Sequence, residues 1–341
     1  MRSLTFEGSV RVDLLGGTID LPPINLVINN VVTLNVATSL KAKVIISENN
    51  FPGVIFKSLD YKEEVSYPSE NFCEEDFRKG TFKHFEFLAR ICKSSGITKN
   101  ISLELQSGSP PGAGLGGSSA MGISLYQALR IWKNEEVKSE LERESARLIV
   151  QGIESIILDA GPAGYQDYYP ALYGGILALH GKPERVDVEQ LYSKELSSFL
   201  EEHLLLVYSG ETRNSGINNW EVYKGFFDKK KEIRTGLNNI ANLSYQAYQN
   251  IKADKFENLL SLIGQEGEER QKLFPSITTK SMRDLFCHSS NLGVTGLKVC
   301  GAGGGGCFLL TLKNNLDRFK IEELITSRGM KVMPFKINAP L

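Results

Sequence analysis

Short runs of β-branched residues separated by turn formers fill the first hundred residues and predict mostly strands. Such runs occupy residues 31–36 and 42–47, and turn formers such as Pro52 follow them. One helix is predicted over 82–93. Residues 101–105 alternate apolar and polar side chains, so a strand is predicted directly before a glycine-rich stretch.

Two amphipathic helices are predicted after the glycine-rich stretch. The first begins at Ser118 and Ser119. Its apolar stripe consists of Met121, Leu125, Ala128, Leu129 and Trp132. The second spans residues 141–158, and its apolar positions are Ile149, Ile153, Ile156 and Ile157. This part of the chain therefore runs from a strand through a loop into two helices.

From about residue 210 onward the pattern changes to long helices with one polar face. These are predicted at 216–250, 255–272 and 279–291, and strands are predicted at 296–299 and 308–312. The change predicts a second domain of mixed helix and strand. Breaker residues after a strand signal place the boundary between an N-terminal domain, 1–185, and a C-terminal domain, 186–341.

Composition and charge agree with a folded two-domain enzyme. A chain of 341 residues exceeds one ordinary core. Its 41% hydrophobic residues, 23% charged residues and net charge of -1 exclude disorder and give no electrostatic reason to expect nucleic acid. An enzyme that acts on small metabolites is expected.

The five cysteines and four histidines show no metal-ligand spacing and no CxxC pair. Neither a zinc site nor a disulfide framework is predicted. The N-terminus lacks a basic segment followed by an apolar one, and polar residues interrupt the longest apolar stretch, near residues 26–40. No membrane span is expected, and a cytoplasmic location is the expectation that follows.

The glycine-rich stretch PPGAGLGGSSA, residues 110–120, has the features of a phosphate-binding loop. Glycines let backbone N–H groups approach an anion, and the helix that follows adds a partial positive charge at its N-terminus. No lysine follows the glycines, so the loop does not match GxxxxGK[ST]. The hydroxyls of Ser118 and Ser119 can instead ligate a magnesium ion that bridges nucleotide phosphates. The alternative is a flexible surface turn that ends in a serine N-cap.

Two further segments complete a pattern with this loop. They are VRVDLLGGTIDLPP at 10–23 and CGAGGGGCFLL at 300–310. Together the three segments resemble, in order, the motifs of the GHMP kinases, named for galactokinase, homoserine kinase, mevalonate kinase and phosphomevalonate kinase. The resemblance spans about residues 8–312. It implies an α+β fold of two domains, an N-terminal one like ribosomal protein S5 and a ferredoxin-like C-terminal one, with the active site in the cleft between them.

The resemblance also implies roles for individual residues. It implies ATP as the cofactor, with a phosphate loop made of Pro111, Gly112, Ala113, Gly114, Leu115, Gly116, Gly117, Ser118 and Ser119. It places Arg11 beside a catalytic carboxylate. It assigns substrate contacts to Gly17, Asp20, Gly164, Arg213, Gly303 and Gly304.

The segment GYQDYYPALYGG, residues 164–175, resembles the stretch of family sugar 1-kinases that holds the catalytic aspartate, which makes Asp167 the candidate base. Its expected role is to accept or orient the proton of the attacking hydroxyl, with Arg11 keeping the carboxylate ionised. The alternative for Asp167 is a solvated loop acid.

Glu154 matches the family's magnesium-binding glutamate on the preceding helix, as Ser118 matches its magnesium-binding serine. On a helical wheel its neighbours Val150, Ile157 and Leu158 place the carboxylate at the border of an apolar stripe, where an unpaired charge is costly. A magnesium ion or a salt bridge to Arg147 would each balance that charge.

The DLPP ending of the first motif and the QDYYPALYGG stretch look most like the branch that phosphorylates the anomeric hydroxyl of heptose 7-phosphate or fucose. The sequence departs from that branch at Thr18 and Ile19, where glycine and threonine are usual. D-glycero-D-manno-heptose 7-phosphate is the expected substrate. The alternatives are fucose, galactose, a uronic acid or a mevalonate-type alcohol, and a catalytically silent relative that binds a nucleotide or sugar. The oligomeric state is not predicted.

Overall fold

A computed structural model describes residues 2–135, 137–158, 163–183, 185–211, 219–313 and 318–341. The chain forms two compact units, each assembled from separate stretches of sequence. Unit one comprises Met1–Val10, Leu40–Ser109 and Gly117–Leu172, and unit two comprises Arg11–Ser39, Pro110–Gly116 and Tyr173–Leu341. Each unit contains several stretches of the chain, whereas the sequence analysis placed one boundary between two continuous domains. That boundary, at residue 185, stays a prediction.

The described residues contain eleven strands, numbered in chain order. They are β1 (Ser3–Leu15), β2 (Thr33–Glu48), β3 (Gly53–Ser58), β4 (Glu63–Pro68), β5 (Ile101–Gln106), β6 (Ile176–Gly181), β7 (Val186–Gln190), β8 (Leu204–Tyr208), β9 (Val294–Val299), β10 (Cys307–Leu312) and β11 (Lys331–Met333).

The same residues contain eleven α-helices. They are α1 (Glu74–Arg78), α2 (Glu86–Ser94), α3 (Gly117–Trp132), α4 (Glu140–Leu158), α5 (Tyr169–Tyr173), α6 (Lys194–His203), α7 (Asn219–Phe227), α8 (Lys231–Lys252), α9 (Leu259–Leu273), α10 (Lys280–Ser289) and α11 (Arg318–Ser327).

In unit one the strand order is β4-β3-β5-β2, with β1 paired to β2. Strands β3 and β5 are parallel, whereas β5 and β2 are antiparallel. The alternation predicted for β5 is confirmed, since Ile101, Leu103 and Leu105 are buried and the intervening residues are less so. Helices α2, α3 and α4 pack on one another.

The two predicted strands at 31–36 and 42–47 are one long strand, β2. Its first half pairs with β6 and its second half with β5. The residues between the two predicted runs stay extended because the C-terminal segment pairs with them. Ser39 donates to the Lys336 carbonyl at 2.8 Å, and Asn338 donates to the Ala37 carbonyl at 2.9 Å. These pairings join residues that lie far apart in the sequence, so the local pattern cannot predict them.

In unit two, four antiparallel strands form a sheet in the order β11-β8-β10-β9. Helix α9 lies against β9 at glycine positions. A Cβ on Gly264 would lie 3.2 Å from the Gly296 Cα, and one on Gly267 would lie 2.0 Å from the Leu297 carbonyl oxygen. This close approach brings the side chains of α9 next to those of β9. The helix predicted over 216–250 is divided into α7 and α8, with Lys229 between them at φ +60°.

The amphipathic stripe predicted for α4 is wrong. Ile156 is 64% exposed, and Ile149 and Ile157 are also exposed. The buried face carries Ala146, Arg147, Val150, Gln151 and Glu154. Polar residues can occupy it because each finds a hydrogen-bond partner inside the fold, for example Gln151, which donates to the Ala163 carbonyl at 2.6 Å.

Among the described residues, no helix is both long enough and apolar enough to cross a membrane.

Candidate active site

The glycine-rich loop is held in place by its own backbone. The Arg11 amide donates to the Leu115 carbonyl at 3.0 Å, and the Cys307 amide donates to the Ala113 carbonyl at 2.7 Å. Gly114 has φ +75°, and a Cβ there would lie 2.5 Å from the Cys300 carbonyl oxygen. Only glycine fits that position. A loop tied to β1 and β10 in this way does not match the alternative of a flexible turn.

The loop leads into the N-terminus of α3, where three hydroxyls converge on one carboxylate. Ser118 donates to Glu154 Oε1 at 2.6 Å, and Ser119 donates to Glu154 Oε2 at 2.8 Å. Tyr168 donates to the same Oε2 at 2.7 Å. The structure therefore brings the predicted serines and Glu154 together, and Tyr168 joins them without having been predicted.

Glu154 is a buried acid on α4. Within the described residues, no lysine or arginine forms an ion pair with its carboxylate. Burial raises the pKa of Glu154 and the nearby Asp167 raises it further, while the hydroxyl hydrogen bonds oppose the shift. The alternative of a salt bridge to Arg147 is wrong, because that guanidinium pairs with Glu144, at 2.5 Å, and with Gln151.

Asp167 is half-buried and lies close enough to Glu154 and Tyr168 to raise the pKa of both. Gly164 precedes it in the same described segment, and α5 follows. This placement in unit one agrees with a site residue beside Ser118 and Glu154. Its role as base, and its partnership with Arg11, stay predictions.

Arg11 lies against the glycine-rich loop within unit two. The residue is 3% exposed, and its Nη1 donates to the Gly114 carbonyl at 2.5 Å. Its charge also lowers the pKa of the neighbouring Asp13. The guanidinium is therefore fixed beside the loop that is predicted to hold the nucleotide phosphates.

The first-motif residues lie in a buried turn of unit two. A Cβ on Gly17 would lie 2.2 Å from Asp13 Oδ2, so a larger residue would displace that carboxylate. Asp20 is 2% exposed. Burial raises the pKa of Tyr223, and the charge of Asp20 adds to that shift, which places the two side chains near each other.

The third glycine loop packs on residue 277. A Cβ on Gly303 would lie 2.5 Å from the Ile277 carbonyl oxygen, and the Gly304 amide donates to the same oxygen at 2.9 Å. Cys300 and Cys307, which flank this loop, are buried free thiols. Arg213 lies outside the described residues.

Residues 81–175 match the family model described as the GHMP kinases N terminal domain. The matched segment contains the whole glycine-rich loop, Glu154 and Asp167. In this segment the chain is similar to the GHMP kinases. The predicted α+β fold of this family is confirmed by a superposition on the mevalonate kinase of Methanococcus jannaschii, with a TM-score of 0.77 and 18% identity over 99% of both chains.

Two relatives illustrate the range of acceptors. The bifunctional fucokinase/GDP-fucose pyrophosphorylase of Arabidopsis thaliana is 27% identical over 341 residues, which cover 95% of this chain and 31% of that protein. This chain thus spans less than a third of that relative's length. The D-glycero-alpha-D-manno-heptose 7-phosphate kinase of Campylobacter jejuni is 25% identical over 321 residues, which cover 90% of this chain and 88% of that enzyme.

The oxygen atoms at the α3 N-terminus fit a magnesium ion. Mg²⁺ takes hard oxygen ligands, typically one or two carboxylates together with waters and substrate phosphates. Glu154 supplies a carboxylate, and Ser118 supplies an exposed hydroxyl beside it. The described residues contain no group of three or more His, Cys, Asp or Glu that could hold a metal ion.

Four buried charged residues to which the sequence analysis assigned no role lie together in unit two. Lys298 Nζ is 2.9 Å from Asp13 Oδ2 and 3.4 Å from Glu266 Oε1. Arg270 Nη1 is 3.8 Å from the same Asp13 oxygen. We call Asp13, Glu266, Arg270 and Lys298 the ion cluster. The signal that could have found it is a charged residue within an apolar strand, as Asp13 is in β1 and Lys298 in β9, because such residues are rarely buried unless paired.

The ion cluster reaches two of the three motifs. Arg270 donates to the carbonyls of Val299, at 2.7 Å, and Gly301, at 2.6 Å, which begin the third glycine loop. Glu266 Oε2 accepts from the Gly16 amide of the first motif at 2.6 Å. Burial alone would raise the pKa of Asp13, but the cations around it hold that pKa below its usual value.

Proposed function

We propose that the chain is an ATP- and magnesium-dependent kinase that transfers the γ-phosphoryl group to the anomeric hydroxyl of a sugar or sugar phosphate. The observation that carries the proposal is the convergence of Ser118 and Ser119 on the buried carboxylate of Glu154, with which no lysine or arginine of the described residues forms an ion pair. This acid lies where a glycine loop opens onto a 16-residue helix. A carboxylate beside a phosphate-binding loop would repel the phosphates unless a cation bound between the carboxylate and the phosphates.

The loop and helix would hold the nucleotide. Backbone amides of the loop and the N-terminus of α3 favour phosphate oxygens, and α3 carries no acidic residue in its first turn that would oppose them. Magnesium, when bound, would neutralise charge between the phosphates and Glu154. Arg11, which is held against the Gly114 carbonyl, would add a fixed positive charge beside the same loop.

Asp167 would orient the acceptor hydroxyl. The acceptor oxygen bonds to the γ-phosphorus as the bond to the bridging oxygen of ADP breaks, and the hydroxyl proton passes to Asp167 and then to solvent. The transition state of phosphoryl transfer is loose in most analyses, so little basicity is required of the carboxylate. Positioning and charge compensation would supply most of the rate.

The acceptor that we propose is D-glycero-D-manno-heptose 7-phosphate. The similarity to a curated heptose 7-phosphate kinase over 90% of the chain supports it. Fucose is the second candidate because of the similarity to a bifunctional fucokinase. A mevalonate-type alcohol is the third, since solved mevalonate kinases share the fold. A silent binding protein would have no need of Asp167.

The decisive experiment is a panel of sugars, sugar phosphates and mevalonate incubated with ATP and Mg²⁺. ADP release identifies the acceptor, and phosphorus NMR of the product identifies the phosphorylated hydroxyl. We expect turnover with an anomeric hydroxyl of a sugar phosphate. Turnover with mevalonate alone would contradict the sugar assignment, and the absence of turnover with every acceptor would favour the silent alternative.

The first variant to test is Asp167→Asn. Loss of the carboxylate should lower kcat by about 10²–10⁴-fold, the range for a removed general base, while ATP affinity stays nearly unchanged. Asp254→Asn, at an exposed residue, is the matched control and should keep full activity. Unchanged turnover in Asp167→Asn would remove this residue from the mechanism.

A further inference from the structure

Glu266, on α9, is a fully buried carboxylate that makes a direct bond to the first motif. The residue is 0% exposed, and its Oε2 accepts from the Gly16 amide at 2.6 Å. Residue 266 is 250 positions from Gly16 in the chain. The mechanism proposed above does not use this acid.

The turn that Glu266 holds does not have a relaxed backbone. Thr18 has φ +78°, a left-handed conformation that β-branched residues rarely adopt. Such strain persists only where the surroundings enforce it. Two side chains fix the start of the turn from outside, since Thr33 Oγ1 donates to the Gly16 carbonyl at 3.2 Å and Glu266 accepts from the Gly16 amide.

The turn carries the residues assigned to the acceptor. Gly17 follows Gly16 directly, Asp20 comes three residues later, and both are buried. A shift at Gly16 would therefore move the carboxylate that is proposed to hold the sugar hydroxyls. Because reacting groups must be placed to within about 1 Å, a small shift of this kind changes binding measurably.

We propose that Glu266 is a positioning residue for acceptor binding: its ionised carboxylate fixes the Gly16 amide and thereby the turn that presents Asp20 to the sugar. The proposal rests on the proposed function, because that function assigns Asp20 to the acceptor. Glu266 does not touch the acceptor itself in this scheme.

The charge of Glu266 depends on pH near neutrality. Burial raises the pKa of Glu266 to about 7, and Asp13 contributes to the rise, while Lys298, Arg270 and the Gly16 amide oppose it. Below this pKa the group is neutral, loses its pairing with Lys298 and accepts more weakly from Gly16. The turn is thus held more firmly above pH 7 than below it.

Amide NMR tests the positioning without any need for activity. Labelling with 1-¹³C-leucine and ¹⁵N-glycine selects the Leu–Gly pairs, of which the sequence has three, ending at Gly16, Gly116 and Gly293. We expect the Gly16 amide to titrate with a midpoint near the pKa of Glu266, about 7. Gly116 and Gly293 serve as internal references. A Gly16 amide that does not change between about pH 5.5 and about pH 8.5 overturns the proposal.

Kinetics tests the link to the acceptor. If only the ionised form presents the turn, the acceptor KM should rise about tenfold from pH 8 to pH 6, in proportion to the lost ionised fraction. The KM for ATP should not follow it. The side chain of Glu266→Gln keeps an oxygen that can accept from the Gly16 amide, but it cannot titrate. The variant should therefore lose the part of the pH dependence of the acceptor KM that comes from Glu266. Any pH dependence that comes from titration of an acceptor phosphate should remain in the variant.

Matched variants complete the test. Glu268→Gln makes the same change at an exposed residue of α9 and should behave as the wild type. Should Glu266→Gln fail to fold, the wild-type amide titration and acceptor KM profile still decide the proposal. An acceptor KM with the same pH dependence in wild type and Glu266→Gln overturns it while leaving the kinase assignment intact. If no acceptor is phosphorylated, the proposed function fails, and the amide titration alone shows whether Glu266 holds the turn.

Discussion

Two buried acidic sites of this chain differ in how their charge is balanced. In unit one, Glu154 is surrounded by the hydroxyls of Ser118, Ser119 and Tyr168. In unit two, Asp13 and Glu266 are matched by two cations, Lys298 and Arg270. The first site has hydrogen bonds but no opposite charge among the described residues, whereas the second has both.

The difference separates a site that needs a ligand from one that does not. An ionised carboxylate taken out of water is unstable unless a cation is supplied. The ion cluster supplies its cations from the chain itself, so it is complete when the protein folds. Glu154 has none among the described residues, and its partner Ser118 is an exposed residue. A cation from outside would complete that site, which is the basis for proposing magnesium there.

The largest effect is expected from Lys298→Met. This change removes a cation that is 0% exposed and leaves two acids facing one arginine. Breaking a buried ion pair from one side costs about 3–5 kcal/mol in the free energy of unfolding. Urea denaturation followed by circular dichroism measures it.

Lys272→Met is the control for that experiment. Lys272, also on α9, pairs with Glu269 at 2.7 Å but is 67% exposed. Exposed pairs contribute about 0–1 kcal/mol. A loss in Lys298→Met as small as that in Lys272→Met would show that the ion cluster is not held by its charge balance.

Glu154→Gln should stabilise the protein in the absence of Mg²⁺, whereas Lys298→Met should destabilise it. Because the folded protein raises the pKa of Glu154, the acid favours unfolding as pH rises from its unfolded pKa through the raised value. Without Mg²⁺ the neutral variant should therefore melt at a higher temperature than the wild type at pH 7. Magnesium-dependent turnover should fall by about 100-fold or more, since a ligand is lost.

Thermal melts with and without Mg²⁺-nucleotide, and turnover against Mg²⁺ concentration, measure both effects. Glu140→Gln, at the exposed start of α4, is the control and should change neither. If Glu154→Gln kept the wild-type dependence on Mg²⁺, the cation would have to bind elsewhere.

A smaller effect distinguishes the two serines. Ser118 is exposed and Ser119 is buried, although both donate to Glu154. Ser118→Ala should raise the Mg²⁺ concentration needed for half-maximal turnover by about 10-fold. Ser119→Ala should instead lower the free energy of unfolding by about 1.5–3 kcal/mol, the range for a hydrogen bond to a charged group. If instead Ser119→Ala raised the required Mg²⁺ concentration and Ser118→Ala did not, Ser119 would be the metal ligand.

Local pattern was sufficient for much of the fold. The strand–loop–helix order around the glycine loop is confirmed, with α3 beginning at Gly117 and α4 spanning Glu140–Leu158. The buried face of α4 could not be predicted in this way. Its isoleucines suggest one face, but Glu154 and Gln151 are buried on another because their hydrogen-bond partners come from other segments.

Sequence patterns alone revealed the resemblance to the GHMP kinases and predicted the phosphate loop, because glycines, serines and their spacing are local properties of the chain. They also indicated Glu154 as an acid that needs a partner. The fold was needed to show that Arg147 is not the partner of Glu154, because its guanidinium pairs with Glu144. The fold also brings together the ion cluster, whose members lie as far apart in sequence as Asp13 and Lys298. Charge balance depends on distances in space, and a one-dimensional pattern does not contain them.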